Sequence, residues 1–154
     1  MEVVMSELER AYRDHAVELV RFATVVAGPA EADDVVSEAL LSCTSSRRWP
    51  EVENERAYLY RSVLNVSRMH RRSVGRRRQR EYAARSETPN SEGYVQPEVL
   101  QALRSLSPRQ RAVVFFMYWV DLGTDDIAQQ LDISVRTVQR EAESARHRLR
   151  EVLT

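Results

Sequence analysis

The stretch that decides the fold is TDDIAQQLDISVRTVQREAESA, from Thr124 to Ala145. Ile127, Ala128 and Leu131 recur at the spacing that places them on one face of a short helix. A turn of Asp132, Ile133 and Ser134 follows, and Ser134 is positioned to cap a second helix. The apolar residues of that helix alternate steps of three and four: Val135, Val138, Ala142, Ala145, Leu149 and Val152. The pattern predicts a helix-turn-helix.

A helix-turn-helix reads duplex DNA by placing its second helix in the major groove. Arginine suits guanine, glutamine suits adenine, and threonine can contact a thymine methyl group. The residues expected to face DNA near the start of this helix are Ser134, Arg136, Thr137, Gln139 and Arg140. The alternative is an amphipathic helix of a bundle with its polar face in water. Turn length, cap and apolar stripe together favour DNA binding.

The residues around this motif also have a helical pattern. A short helix is expected after Pro97, and Ser107 with Gln110 forms a capping-box signature ahead of an almost wholly apolar helix. Gly123 stops that helix, and Thr124 is expected to cap the next one. The segment 86–96 (SETPNSEGYVQ) has the composition of a linker, with a long surface loop as the alternative.

Three further helices are predicted in the first half. The first ends at Gly28 and Pro29, because glycine suits a helix C-terminus and proline cannot continue the helix. The second opens with the acids around Asp33, where negative charge favours the helix dipole. The third runs from about Glu55 to Arg72 with Asn54 as its N-cap.

Charge and composition narrow the possible functions. The 154 residues hold 23 basic and 23 acidic side chains, and every basic one is arginine. Residues 1–67 carry 12 acids against 7 arginines, whereas residues 68–85 carry 8 arginines against one acid. This division suggests one surface for a basic protein and one for phosphates, unless the arginine run is merely a solvated tail.

Several other classes of protein find no support in the sequence. No apolar run approaches a membrane span, and the acidic start does not fit a signal peptide. The single cysteine allows no internal disulfide, and the three histidines lie far apart, so we expect no metal and no cofactor. No grouping of nucleophile, base and metal points to an enzyme. A cytoplasmic protein without membrane contact of its own is expected.

Three segments in order resemble the bacterial RNA polymerase sigma factors of the extracytoplasmic-function (ECF) group, in the sigma-70 superfamily. AEADDVVSEALL (Ala30 to Leu41) resembles the acidic helix of the family, and ENERAYLYRSVLNVSRMHRR (Glu53 to Arg72) resembles its promoter-melting helix. Leu100 to Leu153 resembles domain four over its whole length. An actinobacterial type is one that the resemblance suggests. The order and spacing of all three, with a linker between them, are specific to this group.

The resemblance implies an all-α fold of two small helical domains joined by a flexible linker. Domain two would span residues 5–85, a three- or four-helix bundle that docks on core polymerase and melts the minus-ten element. The linker would span residues 86–96. Domain four would span residues 97–154 and use its helix-turn-helix to recognise the minus-thirty-five element.

The resemblance also implies roles for particular side chains. Asp33, Asp34 and Glu38 would dock on the clamp helices of the β′ subunit, although a capped surface helix has similar acids. The residues implied in minus-ten binding are Trp49, Asn54, Arg56, Tyr58, Tyr60, Arg61, Asn65, Arg68, Arg71 and Arg72. Tyr58 and Tyr60 cannot both face the core, so one of them is expected to pack. Trp49 is equally well read as a lid on the core.

The function implied is that of an alternative sigma factor, which directs promoter-specific transcription initiation without chemistry of its own. Its partners would be core RNA polymerase (the β′ clamp helices and the β flap), promoter DNA and an anti-sigma factor. Two rivals are a free-standing helix-turn-helix regulator and a sigma-like decoy for an anti-sigma factor. The acidic and melting helices argue against the first, and the arginine block argues against the second.

Overall fold

The structure is a computed structural model that describes residues 2–46, 52–73 and 96–153. Within those ranges it consists of helices: α1 (Glu2–Ala27), α2 (Ala32–Ser45), α3 (Glu55–Ser73), α4 (Pro97–Leu103), α5 (Pro108–Tyr118), α6 (Thr124–Leu131) and α7 (Val135–Leu153). The all-α prediction is therefore confirmed. Trp49 and all of the proposed linker except Gln96 lie outside the described residues.

Local signals set the helix ends of the first half. Gly28 follows α1 with a φ of +94°, and its N–H donates to the Thr24 carbonyl at 3.0 Å. Glycine adopts this left-handed conformation without the strain that a Cβ atom adds. The side-chain carbonyl of Asn54 accepts from the Ala57 N–H at 3.0 Å, which caps α3 as predicted.

In the second half one predicted cap is present and the other is wrong. The Gln110 N–H donates to Ser107 Oγ at 3.2 Å, and the Ser107 N–H donates to Gln110 Oε1 at 3.0 Å, so the capping box is confirmed. Thr124, however, is already the first residue of α6. The extended backbone that a cap requires falls on Gly123 (φ −77°, ψ 169°), which has no side chain to donate or accept.

The two halves of the chain meet through four aromatic rings. Phe22 of α1 and Tyr60 of α3 lie 4.9 Å apart between ring centroids. Phe115 lies 5.1 Å from Phe22, and Phe116 lies 4.9 Å from Tyr60. All four side chains are buried. The almost wholly apolar α5 is therefore covered by α7 on one side and by α1 and α3 on another.

Arg111 joins the halves with hydrogen bonds as well. Its Nη1 donates to the Val26 carbonyl of α1 at 3.0 Å, and its Nε donates to the Leu103 carbonyl at 2.8 Å. Its Nη2 donates to the Arg104 carbonyl at 3.2 Å. Carbonyls at helix C-terminal ends lack intrahelical partners, so one guanidinium satisfies the ends of α1 and α4 together.

No helix in the described part of the chain is both long enough and apolar enough to cross a membrane.

Candidate nucleic-acid interface

The start of α7 is built for exposure of a polar face. Ser134 Oγ accepts from the Thr137 N–H at 3.1 Å and lies 2.8 Å from Thr137 Oγ1. Val138 is fully buried, whereas Arg136, Gln139 and Arg140 are exposed. The cap therefore fixes the first turn, and the buried valine turns the three long polar side chains outward. Ser134 and Thr137 therefore use part of their hydrogen-bonding capacity in a bond between their own hydroxyl groups.

The turn before α7 is held by backbone geometry. Asp132 has φ 54° and ψ 50°, the left-handed conformation that aspartate tolerates better than most residues. The Ile133 N–H then donates to the Ala128 carbonyl at 3.0 Å. Ile127, Ala128 and Leu131 are buried. The predicted helix-turn-helix is therefore present, with Asp132 in the strained position.

The two tyrosines of α3 have different environments. Tyr60 is 0% exposed and packs in the aromatic cluster. Burial and the nearby Glu18 carboxylate raise the pKa of Tyr60 to about 12. Tyr58 is half-buried, and its hydroxyl lies 2.9 Å from Ser46 Oγ. Tyr60 is thus the packing member of the pair and offers no surface to DNA in this arrangement, because its ring faces the seam between the halves.

Arg56 is already engaged within the protein. Its Nε lies 3.0 Å from Glu18 Oε2 and its Nη2 lies 2.9 Å from Glu18 Oε1. The guanidinium also lies 5.6 Å from the ring centroid of Tyr60. A two-point pair of this kind is the stronger form of arginine–carboxylate contact. Contact between Arg56 and a DNA phosphate would require exchange of this partner.

Arg61, Asn65 and Arg68 of α3 share one face and line a cavity of about 250 Å³. The opposite wall comes from the second half: Arg109, Leu131, Asp132 and Ile133. The structure therefore brings three predicted minus-ten residues together with the helix-turn-helix turn. Arg109 also lines this cavity. The sequence does not predict that position, because only the fold brings Arg109 close to α3.

The acidic face of α2 is open. Asp33, Asp34 and Glu38 are exposed, while Val35, Val36 and Ala39 between them are buried. Glu38 contacts His70 Nε2, and Glu31 Oε2 lies 3.4 Å from His70 Nδ1. The sequence pattern assigns no role to His70. Its separation from both glutamates along the chain left no local signal.

Three predicted residues have no described side-chain environment. Arg71 and Arg72 belong to the last turn of α3, where only the backbone is described, and Trp49 lies outside the described ranges. Their assigned roles stay predictions.

Comparison with known proteins points to one family. Residues 97–149 match the family described as sigma-70, region 4. The RNA polymerase sigma-E factor of Streptomyces coelicolor is 31% identical over 96% of this chain and 86% of its own length. The sigma-E factor of Streptomyces avermitilis is 29% identical over 96% of this chain and 85% of its own length.

Two solved structures have a similar fold. The sigma factor RpoE of Bartonella quintana, in complex with the anti-sigma factor NepR, has a TM-score of 0.62 at 22% identity. That similarity covers 99% of this chain and 98% of the other. CnrH, in complex with the cytosolic domain of CnrY, has a TM-score of 0.61 at 24% identity and covers 97% of this chain and 88% of its own.

A capped helix-turn-helix that presents an exposed polar face, within a described structure made of helices, defines a class of DNA-binding protein. The sequence relatives give the family: the chain belongs to the RNA polymerase sigma factors of the ECF group. It is an alternative sigma factor, and thus a transcription factor.

Proposed function

We propose that this sigma factor docks on core RNA polymerase through the acidic face of α2 and reads the minus-thirty-five duplex with the first turns of α7. The α3 face would hold the melted minus-ten strand. Core polymerase would supply all nucleotide chemistry, so the chain would need no cofactor. Assembly would take place in the cytoplasm. An anti-sigma factor is a further expected partner, as in the complexes named above for RpoE and CnrH.

The observation that carries the duplex-reading role is the orientation of α7. Its inner stripe is buried at Val138, Ala142 and Ala145, which leaves Arg136 and Gln139 on the open side of the first turn. A helix held this way can enter the major groove with side chains capable of bidentate hydrogen bonds at its leading end. Later arginines of α7, such as Arg148, lie further from the capped end and would meet phosphate or solvent.

The docking role rests on the charge and exposure of α2. Asp33, Asp34 and Glu38 present carboxylates on an outward face, while the opposite side of α2 packs against α1 and α3. A rigid helix with aligned carboxylates suits a basic protein surface and steers its approach. The same acids would repel DNA, so this face is separated in function from the arginines of α3.

Partial separation of the two halves would favour the minus-ten role. Arg61, Asn65 and Arg68 line a cavity whose other wall includes Leu131 and Ile133 of the helix-turn-helix. Asn65 is exposed and Arg61 and Arg68 are half-buried, so the second half restricts the access of a DNA strand to part of that face. We therefore expect docking on core polymerase to move α5–α7 away from α3 before the strand binds.

Two variants with matched controls test these assignments. Arg136→Ala should lower promoter-dependent transcription by about tenfold with unchanged core affinity, since one bidentate base contact is lost. Arg148→Ala, also exposed on α7, should have a smaller effect. Equal loss of promoter use and core binding in Arg136→Ala would reject the duplex-reading role.

The docking face is tested by charge reversal. Asp34→Arg should weaken binding to core polymerase by about tenfold, because it sets a cation against a basic surface. Glu9→Arg, an exposed acid on α1, makes the same charge change at another place and should bind normally. Equal affinity of Asp34→Arg and the unmodified protein in a titration would reject the docking assignment, provided that helix content by circular dichroism is unchanged.

A further inference from the structure

His70 connects the helix proposed to melt DNA with the helix proposed to dock on polymerase. Its ring projects from α3 towards α2, where Nε2 contacts Glu38 and Nδ1 lies 3.4 Å from Glu31 Oε2. The ring is 18% exposed, and Glu38 is 52% exposed. One carboxylate oxygen of Glu38 therefore contacts the imidazole, while about half of the side chain faces solvent.

Two carboxylates next to one imidazole favour its protonated form. A neutral imidazole has one N–H donor, whereas the protonated ring has two. Both ring nitrogens of His70 face a carboxylate oxygen, so the imidazolium suits the arrangement better than a neutral ring does. Burial lowers the pKa of His70, but the hydrogen bonds and charges of Glu38 and Glu31 outweigh it, and the pKa is raised.

The imidazolium changes what Glu38 offers to a partner. Among the side chains that the structure describes, the charged groups set against the ring come from α2 and the residue before it: Glu38 and Glu31. With His70 protonated, the positive charge offsets Glu38, which belongs to the acidic face. A basic partner then meets a weaker carboxylate and a nearby like charge, and both effects oppose binding.

We propose that His70 is an internal competitor for Glu38, so that docking of a basic polymerase surface requires Glu38 to exchange its histidine partner for the incoming cation. This inference rests on the proposed docking role of α2. His70 is a positioning residue here, because it acts on polymerase through Glu38. When Glu38 leaves the imidazole, the proton affinity of His70 falls. Docking of polymerase and deprotonation of His70 therefore favour each other.

The test compares core-polymerase affinity at about pH 6 and about pH 8, on either side of neutral. The full-length chain, its His70→Asn variant and a His147→Asn control are each titrated with core polymerase by fluorescence anisotropy. His147 suits the control because it is an exposed histidine near a glutamate, with Nε2 3.4 Å from Glu151 Oε1 on α7.

At the lower pH, His70→Asn should bind two- to fivefold more tightly than the unmodified chain, as expected for release of one partly exposed ion pair of up to about 1 kcal/mol. At the higher pH the difference between the two should shrink, because His70 carries less of the positive charge that offsets Glu38. His147→Asn should follow the unmodified chain at both. The same pH ratio for all three proteins would overturn the proposal while leaving polymerase docking intact, whereas no binding by any of them would reject the docking role itself.

A second measurement needs no polymerase and covers the case in which His70→Asn is poorly folded. The ring protons of His70 are titrated by NMR in the unmodified chain and in Glu38→Gln. Glu38→Gln should lower the pKa of His70, because a neutral amide cannot favour the imidazolium as a carboxylate does. An unchanged His70 titration in Glu38→Gln would overturn the pairing on which the competition depends.

Discussion

Replacement of Phe116 by alanine should destabilise the first half of the chain although Phe116 belongs to the second. Its ring is fully buried, 5.2 Å from Phe22, 4.9 Å from Tyr60 and 5.5 Å from Phe115 between centroids. A Phe→Ala change in a packed core costs about 3–5 kcal/mol. Two of the three ring partners lie in the first half, so the lost packing destabilises both halves of the chain.

The readout is the thiol of Cys43, the single cysteine, which is buried in α2 of the first half. Burial raises the pKa of this thiol despite its contact with Ser62, so it reacts only when α2 opens. A loss of about 3–5 kcal/mol corresponds to labelling that is faster by roughly a hundredfold to several thousandfold, at tenfold per 1.4 kcal/mol.

The control is Tyr118→Ala, which also removes an aromatic ring from α5 but at an exposed position. Its Cys43 labelling should stay near that of the unmodified chain. If Phe116→Ala unfolds the second half, as followed by helix content, while Cys43 labelling is unchanged, the two halves are independent units. That result would refute the shared core.

The remaining predictions concern caps, strain and pH. Ser107→Ala should cost about 0.5–2 kcal/mol in urea unfolding, because it removes one arm of the capping box; an unchanged midpoint would contradict this. Asp132→Val should cost about 1–2 kcal/mol, because a β-branched residue is strained at φ 54°, whereas Asp132→Gly should not destabilise the fold; equal midpoints for the two variants would argue against the strain. The raised pKa of His70 means that its contribution to stability is complete below its unfolded-state pKa and is lost as pH rises through its folded-state pKa. The stability difference between the unmodified chain and His70→Asn should therefore shrink from acidic to alkaline pH, and a difference that grew would contradict the assignment.

Sequence reasoning succeeded where the determinant was local. The capping box at Ser107 and the Asn54 cap each depend on residues within a few positions of one another. The helical stripe of α7 is a repeated local pattern, which gives the burial of Val138 and the exposure of Arg136 together. The cap predicted at Thr124 was wrong by one residue, since the N-cap position is Gly123. Local sequence patterns do not resolve helix ends to a single residue.

The features that the sequence did not predict depend on which helix packs against which. The pattern of α3 left open whether Tyr58 or Tyr60 packs, and the approach of Phe22 and Phe116 to Tyr60 decides it. The contact between Arg111 and the Val26 carbonyl joins positions 85 residues apart, so no spacing rule reveals it. The pairing of His70 with Glu38 has the same origin, since it requires the relative rotation of α2 and α3.

The central claim, that this chain is a promoter-specificity subunit, is tested most directly by run-off transcription on a pool of genomic promoters with bacterial core polymerase. Addition of the chain should produce discrete new transcripts whose start sites share two upstream elements. Transcription unchanged by the chain, together with its failure to comigrate with core polymerase on a sizing column, would contradict the claim. That result would favour a free-standing regulator or a decoy.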